Sequence, residues 1–318
     1  MNQNNPRLGI TLMILAMIIF AIQDGVSRHL AANYNVMTVV MIRYWFFAAF
    51  VVALSASRPG GIARVARTRQ PGLQIFRGVL LAVEIVVTVL SFVLLGLIGT
   101  HAIFAVYPLL VAALAGPMLG EYVGWRRAVA ILVGLVGVLI ILRPGFQVFA
   151  PEALIPLGAA FMFALYALLT RRASRLDSAE TSFFYTGVVG AVAITLVAPF
   201  WWTPITSAAD WAWMAALCVS GALGHFLLIK PYQVAEAGAV QPFAYFQLVF
   251  VTILGVTLFD ERPDTWTIAG AGLILAAGLY TLIRQARLGM TPSLPAAGNV
   301  EAVETVPLEN DTEKGRDT

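Results

Sequence analysis

The sequence contains 318 residues, of which 59% are hydrophobic and 12% are charged, and its formal net charge is +3. Soluble domains usually carry about 25% charged residues. This composition therefore excludes an ordinary water-soluble protein, and the mean hydropathy of +0.83 predicts an all-α integral membrane protein. The single cysteine, Cys218, excludes an internal disulfide and a metal site built from cysteines.

Ten apolar segments follow one another along the chain, and each is long enough to cross about 30 Å of hydrocarbon as a helix. The predicted transmembrane spans, in chain order, are 8–28, 36–56, 74–96, 101–119, 126–143, 153–170, 181–200, 211–230, 237–258 and 265–284. Residues 1–7 are expected to form a short cytoplasmic N-terminus. Residues 288–318 are acidic and contain no aromatic side chain, which predicts a disordered cytoplasmic tail.

The basic residues indicate how the spans are oriented. If the N-terminus is cytoplasmic, 14 Arg and Lys residues fall in cytoplasmic segments and only 3 in external loops. Cytoplasmic loops of membrane proteins are enriched in Arg and Lys. Both termini are therefore expected in the cytoplasm.

The two halves of the chain close in a similar way. Glu121 and Glu261 are each followed within five residues by a tryptophan and then by a span rich in Ala, Gly and Leu. An odd number of spans in a repeat makes the second copy insert upside down relative to the first. We therefore predict two inverted five-helix repeats, at 8–143 and 153–284.

The segments around these acids resemble the drug/metabolite transporter superfamily, in particular the ten-span bacterial transporters built from two EamA-type repeats. In PLLVAALAGPMLGE, Pro108 stands thirteen residues before Glu121, as is typical of the end of such a repeat. In PFAYFQLVFVTILGVTLFDERPD, Leu248 holds the corresponding position before Glu261, where many members have proline. The resemblance covers about 8–285.

The resemblance implies a secondary transporter that moves a small polar organic metabolite across the bacterial inner membrane by alternating access. It implies no cofactor, and the expected partners are the lipid bilayer and a small-molecule substrate, not nucleic acid. A monomer or a homodimer is expected. The substrate stays open, because similar proteins carry vitamins, amino acids and other metabolites in either direction.

An intramembrane enzyme is the main alternative, and the residues do not favour it. Ser220 precedes His225, but no nucleophile-elbow pattern surrounds the serine. Asp260 and Asp264 fall in a predicted external loop, where solvated acids are ordinary. Three scattered histidines lack the spacing of metal ligands, and no phosphate-binding loop supports an ATP-driven pump.

Charged residues inside the spans are candidates for function, because a charge at the bilayer centre costs roughly 2.5–3.5 kcal/mol. Asp24 in the first span and Arg43 in the second are expected at similar depth in the external half of the membrane. We predict that they form an ion pair and that Gln23 adds a hydrogen bond. The pair has two interpretations: it fixes two helices together, or it lines the substrate cavity.

Glu84 is expected near the middle of the third span. Because burial disfavours a charged carboxylate, Glu84 is the candidate for proton coupling; the alternative is a neutral, hydrogen-bonded acid between helices. His101 is expected near the external interface, solvated.

Deep polar and aromatic residues complete the predicted cavity, since a planar ligand is held by ring stacking and a few polar groups. The predicted cavity residues are Gln23, Asp24, Arg43, Tyr107, Tyr166, His225, Tyr245 and Gln247. This chemistry suits a flat, polar, partly aromatic solute. Among the substrates of similar proteins, riboflavin taken up into the cell is the leading candidate, and export of aromatic or neutral amino acids or other metabolites is the alternative.

Overall fold

A computed structural model describes residues 5–119, 124–142, 151–234 and 241–287 of the chain. Within these residues the protein is all-helical, without a strand. The helices are α1 (Pro6–Asn33), α2 (Val36–Ala56), α3 (Gly61–Val65), α4 (Pro71–Phe104), α5 (Tyr107–Leu119), α6 (Trp125–Leu142), α7 (Leu154–Ala173), α8 (Ala179–Val197), α9 (Ala208–Val234), α10 (Phe246–Phe259) and α11 (Thr265–Arg287).

Local sequence explains where several helices begin. The Asn5 side chain accepts a hydrogen bond from the Leu8 amide at 3.1 Å, and Pro6 begins α1, where its missing N–H costs nothing. Asn35 caps α2 in the same way. Ser178 caps α8 through the Thr181 amide. Each of these caps satisfies an amide that has no partner within its helix.

Six helices in the described residues are long and apolar enough to cross a membrane, as judged from length and composition. These helices are Arg7–Asn33, Val36–Ala56, Pro71–Phe104, Pro151–Ala173, Ala179–Trp201 and Thr265–Arg284. Three shorter apolar helices, Tyr107–Met118, Ala128–Leu142 and Phe243–Phe259, accompany them. The predicted all-helical, multi-pass membrane architecture is confirmed, and the count of ten spans stays a prediction.

The chain reverses direction inside α4, at Gly96. This residue has φ 76° and ψ 176°, in the positive-φ region that favours glycine. The rings of Phe92 and His101 lie on either side of it and stack with centroids 5.4 Å apart and planes 4° apart. Nine residues of straight helix would separate them by about 13.5 Å, so α4 folds back on itself. The reversal lies where the third predicted span ends.

The two predicted halves pack against each other, and the most extensive helix contacts between them have an equivalent contact when the two halves are interchanged. Matching the first five predicted spans in order with the last five pairs α1 with α7, α2 with α8, the first segment of α4 with α9, α5 with α10 and α6 with α11. When each helix is replaced by its match, the α1–α9 contact becomes the α4–α7 contact. By the same rule the α1–α10 contact corresponds to α5–α7. The α2–α8 and α6–α11 contacts each correspond to themselves, and all six contacts are extensive. The core of the bundle thus lies between the halves.

Small residues allow the closest of these contacts. A Cβ atom added at Gly270 in α11 would lie 2.5 Å from the Gly137 carbonyl oxygen in α6. A Cβ atom at Gly190 in α8 would lie 2.2 Å from the Tyr44 ring. The absence of a side chain at these two glycines therefore lets the neighbouring helices approach closely.

Candidate functional site

A buried polar cluster joins three helices around Asp24. The Asp24 residue is 9% exposed. Its Oδ2 atom accepts a hydrogen bond of 2.8 Å from Nε2 of Gln247 in α10. The same oxygen lies 3.1 Å from Nε2 of His101 in α4. We call these three residues the Asp24 cluster.

His101 is largely buried and contacts three neighbours, contrary to the expectation that it is solvated at an interface. Its side chain is only 12% exposed and its ring stacks on Phe92. Its Nδ1 atom lies 3.0 Å from the Leu97 carbonyl oxygen. The prediction was wrong because the chain reversal at Gly96 turns the start of the fourth predicted span inward, against α1.

The predicted ion pair between Asp24 and Arg43 does not form, although both residues are described by the structure. Depth along a helix is readable from sequence, but rotation about its axis is not. Gln23 and Arg43 instead face Gly221 of α9: a Cβ atom placed there would lie 3.2 Å from Gln23 Oε1 and 3.9 Å from Arg43 Nε. Within the described part of the chain, the buried Gln23 Oε1 atom has no hydrogen-bond partner, so the predicted hydrogen bond to the pair is also missing.

Glu84 is 4% exposed and lies in the first segment of α4. Its Oε1 atom accepts a hydrogen bond of 2.7 Å from Thr88, one turn further along the helix. It lies within electrostatic range of Arg43 and Asp24. Glu84 therefore belongs to the same region of the bundle as the Asp24 cluster, and its role in proton coupling stays a prediction.

Two of the three tyrosines of the predicted cavity share a neighbour, since Tyr107 and Tyr166 both pack against Phe163, with ring centroids 5.0 and 6.3 Å away. Tyr107 packs edge-on against this ring. The Tyr166 hydroxyl lies 3.4 Å from Arg77 Nη2, in a different polar network. Tyr245 packs against Gly278, and its hydroxyl has no partner among the described residues.

His225 lies within α9, and its side chain is outside the described residues. Of the eight predicted cavity residues, the structure joins Asp24 directly to Gln247. His101, which sequence reasoning did not include, completes that cluster. The signal that would have found it is Gly96, since a glycine between two closely spaced apolar spans marks a tight reversal.

A second polar cluster, the Glu261 clasp, seals the reversal of α4. The two carboxylate oxygens of Glu261 accept hydrogen bonds from the backbone amides of Leu97 and Ile98, at 2.7 and 2.8 Å. Arg28 of α1 forms an ion pair with the same carboxylate. Glu261 thus caps the helical segment after Gly96 as an N-terminal acid does. Its predicted counterpart, Glu121, lies outside the described residues.

A third cluster, the Asp177 clasp, joins the connection between α7 and α8 to the start of α4. Asp177 accepts hydrogen bonds from the Thr68 hydroxyl at 2.5 Å, the Arg69 amide at 2.9 Å and the Gln74 side chain at 2.8 Å. Burial would raise the pKa of Asp177, but these hydrogen bonds and the nearby charge of Arg77 outweigh burial and lower it. The carboxylate is therefore the stable form.

The two clasps lie at opposite ends of the bundle. The stretch of α4 from Gln74 to Leu97 spans 23 residues, about 34 Å of helix, close to the thickness of the hydrocarbon core. Each clasp joins a residue of the second predicted half to the first half. The Asp24 cluster lies close to the Glu261 end, because His101 follows Leu97 by one helical turn.

Comparison with known proteins defines the class. The family model described as "EamA-like transporter family" matches residues 7–143 and 151–283. The protein is a multi-pass membrane transporter, and the chain belongs to the EamA-like transporter family of the drug/metabolite transporter superfamily. The resemblance seen in the sequence is thereby confirmed.

Individual relatives agree with this class. The S-adenosylmethionine uptake transporter of Rickettsia prowazekii (strain Madrid E) is 28% identical over 275 residues, covering 86% of this chain and 92% of that protein. The riboflavin transporter of Vibrio cholerae serotype O1 is 29% identical over 276 residues, with coverages of 86% and 92%. A protein of known crystal structure matches with a TM-score of 0.57 and 18% identity over 90% of this chain and 99% of its own, which supports the fold alone. The named relatives are transporters, as expected, and not enzymes.

Proposed function

We propose that the protein is a secondary transporter that carries a small polar metabolite across the bacterial inner membrane by alternating access. It has ten spans in two inverted repeats, at 8–143 and 153–284, with both termini in the cytoplasm. The helix contacts support this arrangement, because the extensive contacts between the two halves keep an equivalent contact when the halves are interchanged, as inverted repeats require. The two clasps, one at each end of the bundle, are placed to close the two faces in turn.

The observation that carries the proposal is the Asp24 cluster. The Asp24 carboxylate is 9% exposed, lies inside an apolar bundle and contacts side chains of two other helices. Burying a carboxylate in a membrane costs free energy, so such a residue typically marks a binding site or pathway for a polar substrate. Glu84 adds a second buried acid to the same region. A cationic group of a substrate would therefore be stabilised there.

S-adenosylmethionine is the substrate we favour. It carries a sulfonium and an ammonium group, which suit the two carboxylates, and an adenine ring that can stack on aromatic side chains. Riboflavin is the second candidate, favoured by the relative from V. cholerae and by its flat flavin ring system, which can stack on aromatic side chains as adenine can. It is neutral, however, and offers the acids of the site no cationic group. Relatives named for uptake support inward transport.

A binding experiment separates these candidates. The purified protein in detergent is heated with S-adenosylmethionine, riboflavin, neutral amino acids or nucleosides. A ligand at a hundred times its dissociation constant adds about 2.7 kcal/mol of stability. We expect S-adenosylmethionine to raise the unfolding temperature of the wild type and not of Asp24→Asn.

The matched control is Glu180→Gln, which removes a carboxylate from an exposed ion pair with Arg58. It should respond to the ligand as the wild type does. A shift with riboflavin alone would reject the favoured substrate. No shift with any of these compounds would contradict both.

A further inference from the structure

The Asp24 cluster and the Glu261 clasp are built on the same two stretches of helix. On α1, Asp24 belongs to the cluster and Arg28, four residues later, belongs to the clasp. On α4, Leu97 belongs to the clasp and His101, four residues later, belongs to the cluster. Residues four apart on a helix lie on one face, about 6 Å from each other. The two contacts therefore stack along one seam between α1 and α4, which we call the α1–α4 seam.

The His101 ring lies between two acceptors. Its Nδ1 atom lies 3.0 Å from the Leu97 carbonyl oxygen, and its Nε2 atom lies 3.1 Å from Asp24 Oδ2, which also accepts from Gln247. A neutral imidazole carries its hydrogen on one of the two ring nitrogens, and a protonated ring would donate to both oxygens. In each case the ring of α4 stands against the carboxylate of α1.

The His101 ring thus occupies the place at Asp24 that a cationic substrate group would need. A sulfonium or ammonium group that displaces His101 gives the carboxylate a cationic partner but removes the contact between α1 and α4. Only the Glu261 clasp, one turn away, would then hold this part of the seam. Ligands shift a conformational equilibrium only through such a difference in contacts between its states.

We propose that His101 and Glu261 couple substrate binding to opening of this face of the transporter. His101 holds the seam closed while the site is empty, and a cationic substrate that takes Asp24 releases it, so that the Glu261 clasp can open. The substrate named in this inference rests on the proposed function, whereas the closed seam rests on the contacts alone. Both residues are positioning residues: their contacts along the seam hold α4 against α1.

Ser27 offers a reporter for the seam. It lies on α1 between Asp24 and Arg28, it is 1% exposed, and its hydroxyl has no hydrogen-bond partner among the described residues. Cys218 is the only cysteine of the chain. In a Cys218→Ala background, Ser27→Cys therefore places a single thiol behind the clasp. A membrane-impermeant, charged methanethiosulfonate added outside intact cells reacts with that thiol only when the seam is open.

We expect slow labelling in this background and faster labelling after His101→Gln or Glu261→Gln. An increase of about tenfold corresponds to a shift of ~1.4 kcal/mol in the equilibrium between closed and open seam. Arg28→Gln provides a third variant of the same seam if either of the others fails to fold, as judged by size-exclusion chromatography. Asp177→Asn, at the opposite end of the bundle, and Glu180→Gln, on the surface, should not increase labelling.

Unchanged labelling in folded seam variants would overturn the inference. S-adenosylmethionine should accelerate labelling when His101 is present and have little further effect after His101→Gln. Faster labelling in the variants with no response to S-adenosylmethionine or riboflavin would support the seam as the closed gate and reject the proposed substrates. The two failures are therefore distinguishable.

Discussion

The carboxylate of Glu261 occupies the space that a side chain at Gly96 would need. A Cβ atom at Gly96 would lie 2.5 Å from Glu261 Oε1, and the residue has φ 76°. The only atom that fits at this position is hydrogen. The reversal of α4, the cap on its second segment and the seam with α1 all depend on this relationship.

Gly96→Ala should therefore destabilise the protein by about 1–3 kcal/mol, through backbone strain and displacement of Glu261. Thermal unfolding in detergent measures this loss. Gly158→Ala is the control, because a Cβ atom at Gly158 in α7 meets nothing within 4 Å. Equal unfolding temperatures for the two variants would show that the Glu261 carboxylate does not fill this space.

The contact between α6 and α11 allows a second pair of glycines to be compared. A Cβ atom at Gly270 would meet both the Gly137 carbonyl oxygen and the Ile141 side chain at 2.5 Å, whereas one at Gly272 would meet nothing within 4 Å. Overpacking of this kind costs about 1–3 kcal/mol. Gly270→Ala should lower the unfolding temperature, and Gly272→Ala should not. A lower unfolding temperature for Gly272→Ala than for Gly270→Ala would contradict the close contact between α6 and α11.

Asp177 should give stability that depends on pH. The pKa of its carboxyl is lowered in the folded protein, so its contribution is fully present above the unfolded value of about 4 and is lost as the pH falls through the lower, folded value. At neutral pH, Asp177→Asn should cost about 1.5–3 kcal/mol, as expected for hydrogen bonds to a charged group.

Unfolding temperatures from pH 7 down to pH 3 check this prediction. The difference between wild type and Asp177→Asn should shrink toward the acidic end. Glu180→Gln, in an exposed ion pair, should differ little from the wild type near neutral pH. A difference for Asp177→Asn that is constant down to pH 3 would show that the charge of Asp177 contributes nothing.

Gln247 should matter for transport because it is the only amide donor that the structure gives to Asp24 among the described residues. Gln247→Leu keeps the side-chain volume but removes the donor, and it should reduce substrate uptake by roughly tenfold, the effect of ~1.4 kcal/mol. Thr252→Ala is the control on the same helix, since among the described residues its hydroxyl bonds to the Leu248 carbonyl of its own helix and to no other group. Uptake that is equal in the two variants would remove Gln247 from the site.

Much of the architecture could be predicted from the sequence, because apolar length and charge distribution carry it. Asp24 and Gln247 were singled out from their polarity inside apolar runs, and their side chains form a hydrogen bond; that they bind substrate stays a prediction. The partner of Asp24 was not predicted, since hydropathy gives the depth of a residue but not the direction in which its helix faces. Arg43 lies level with Gln23 beside Gly221 of α9 and not against Asp24.

The two clasps could not be predicted for a different reason. Glu261 binds amides 163 and 164 residues away, and Asp177 binds partners more than 100 residues away. Acids in short connections between spans are ordinary solvated residues in most proteins, so composition does not mark these two. Only the packing of the two halves brings Asp177 to the start of α4 and Glu261 to its reversal.

Counterflow in proteoliposomes tests the central claim most directly. Vesicles loaded with unlabelled S-adenosylmethionine are diluted into a trace of labelled compound, and label inside is followed with time. A carrier that alternates between two faces should accumulate label transiently, and Asp24→Asn should not, while Glu180→Gln behaves as the wild type. Absence of accumulation for both S-adenosylmethionine and riboflavin, or full counterflow in Asp24→Asn, would contradict the account.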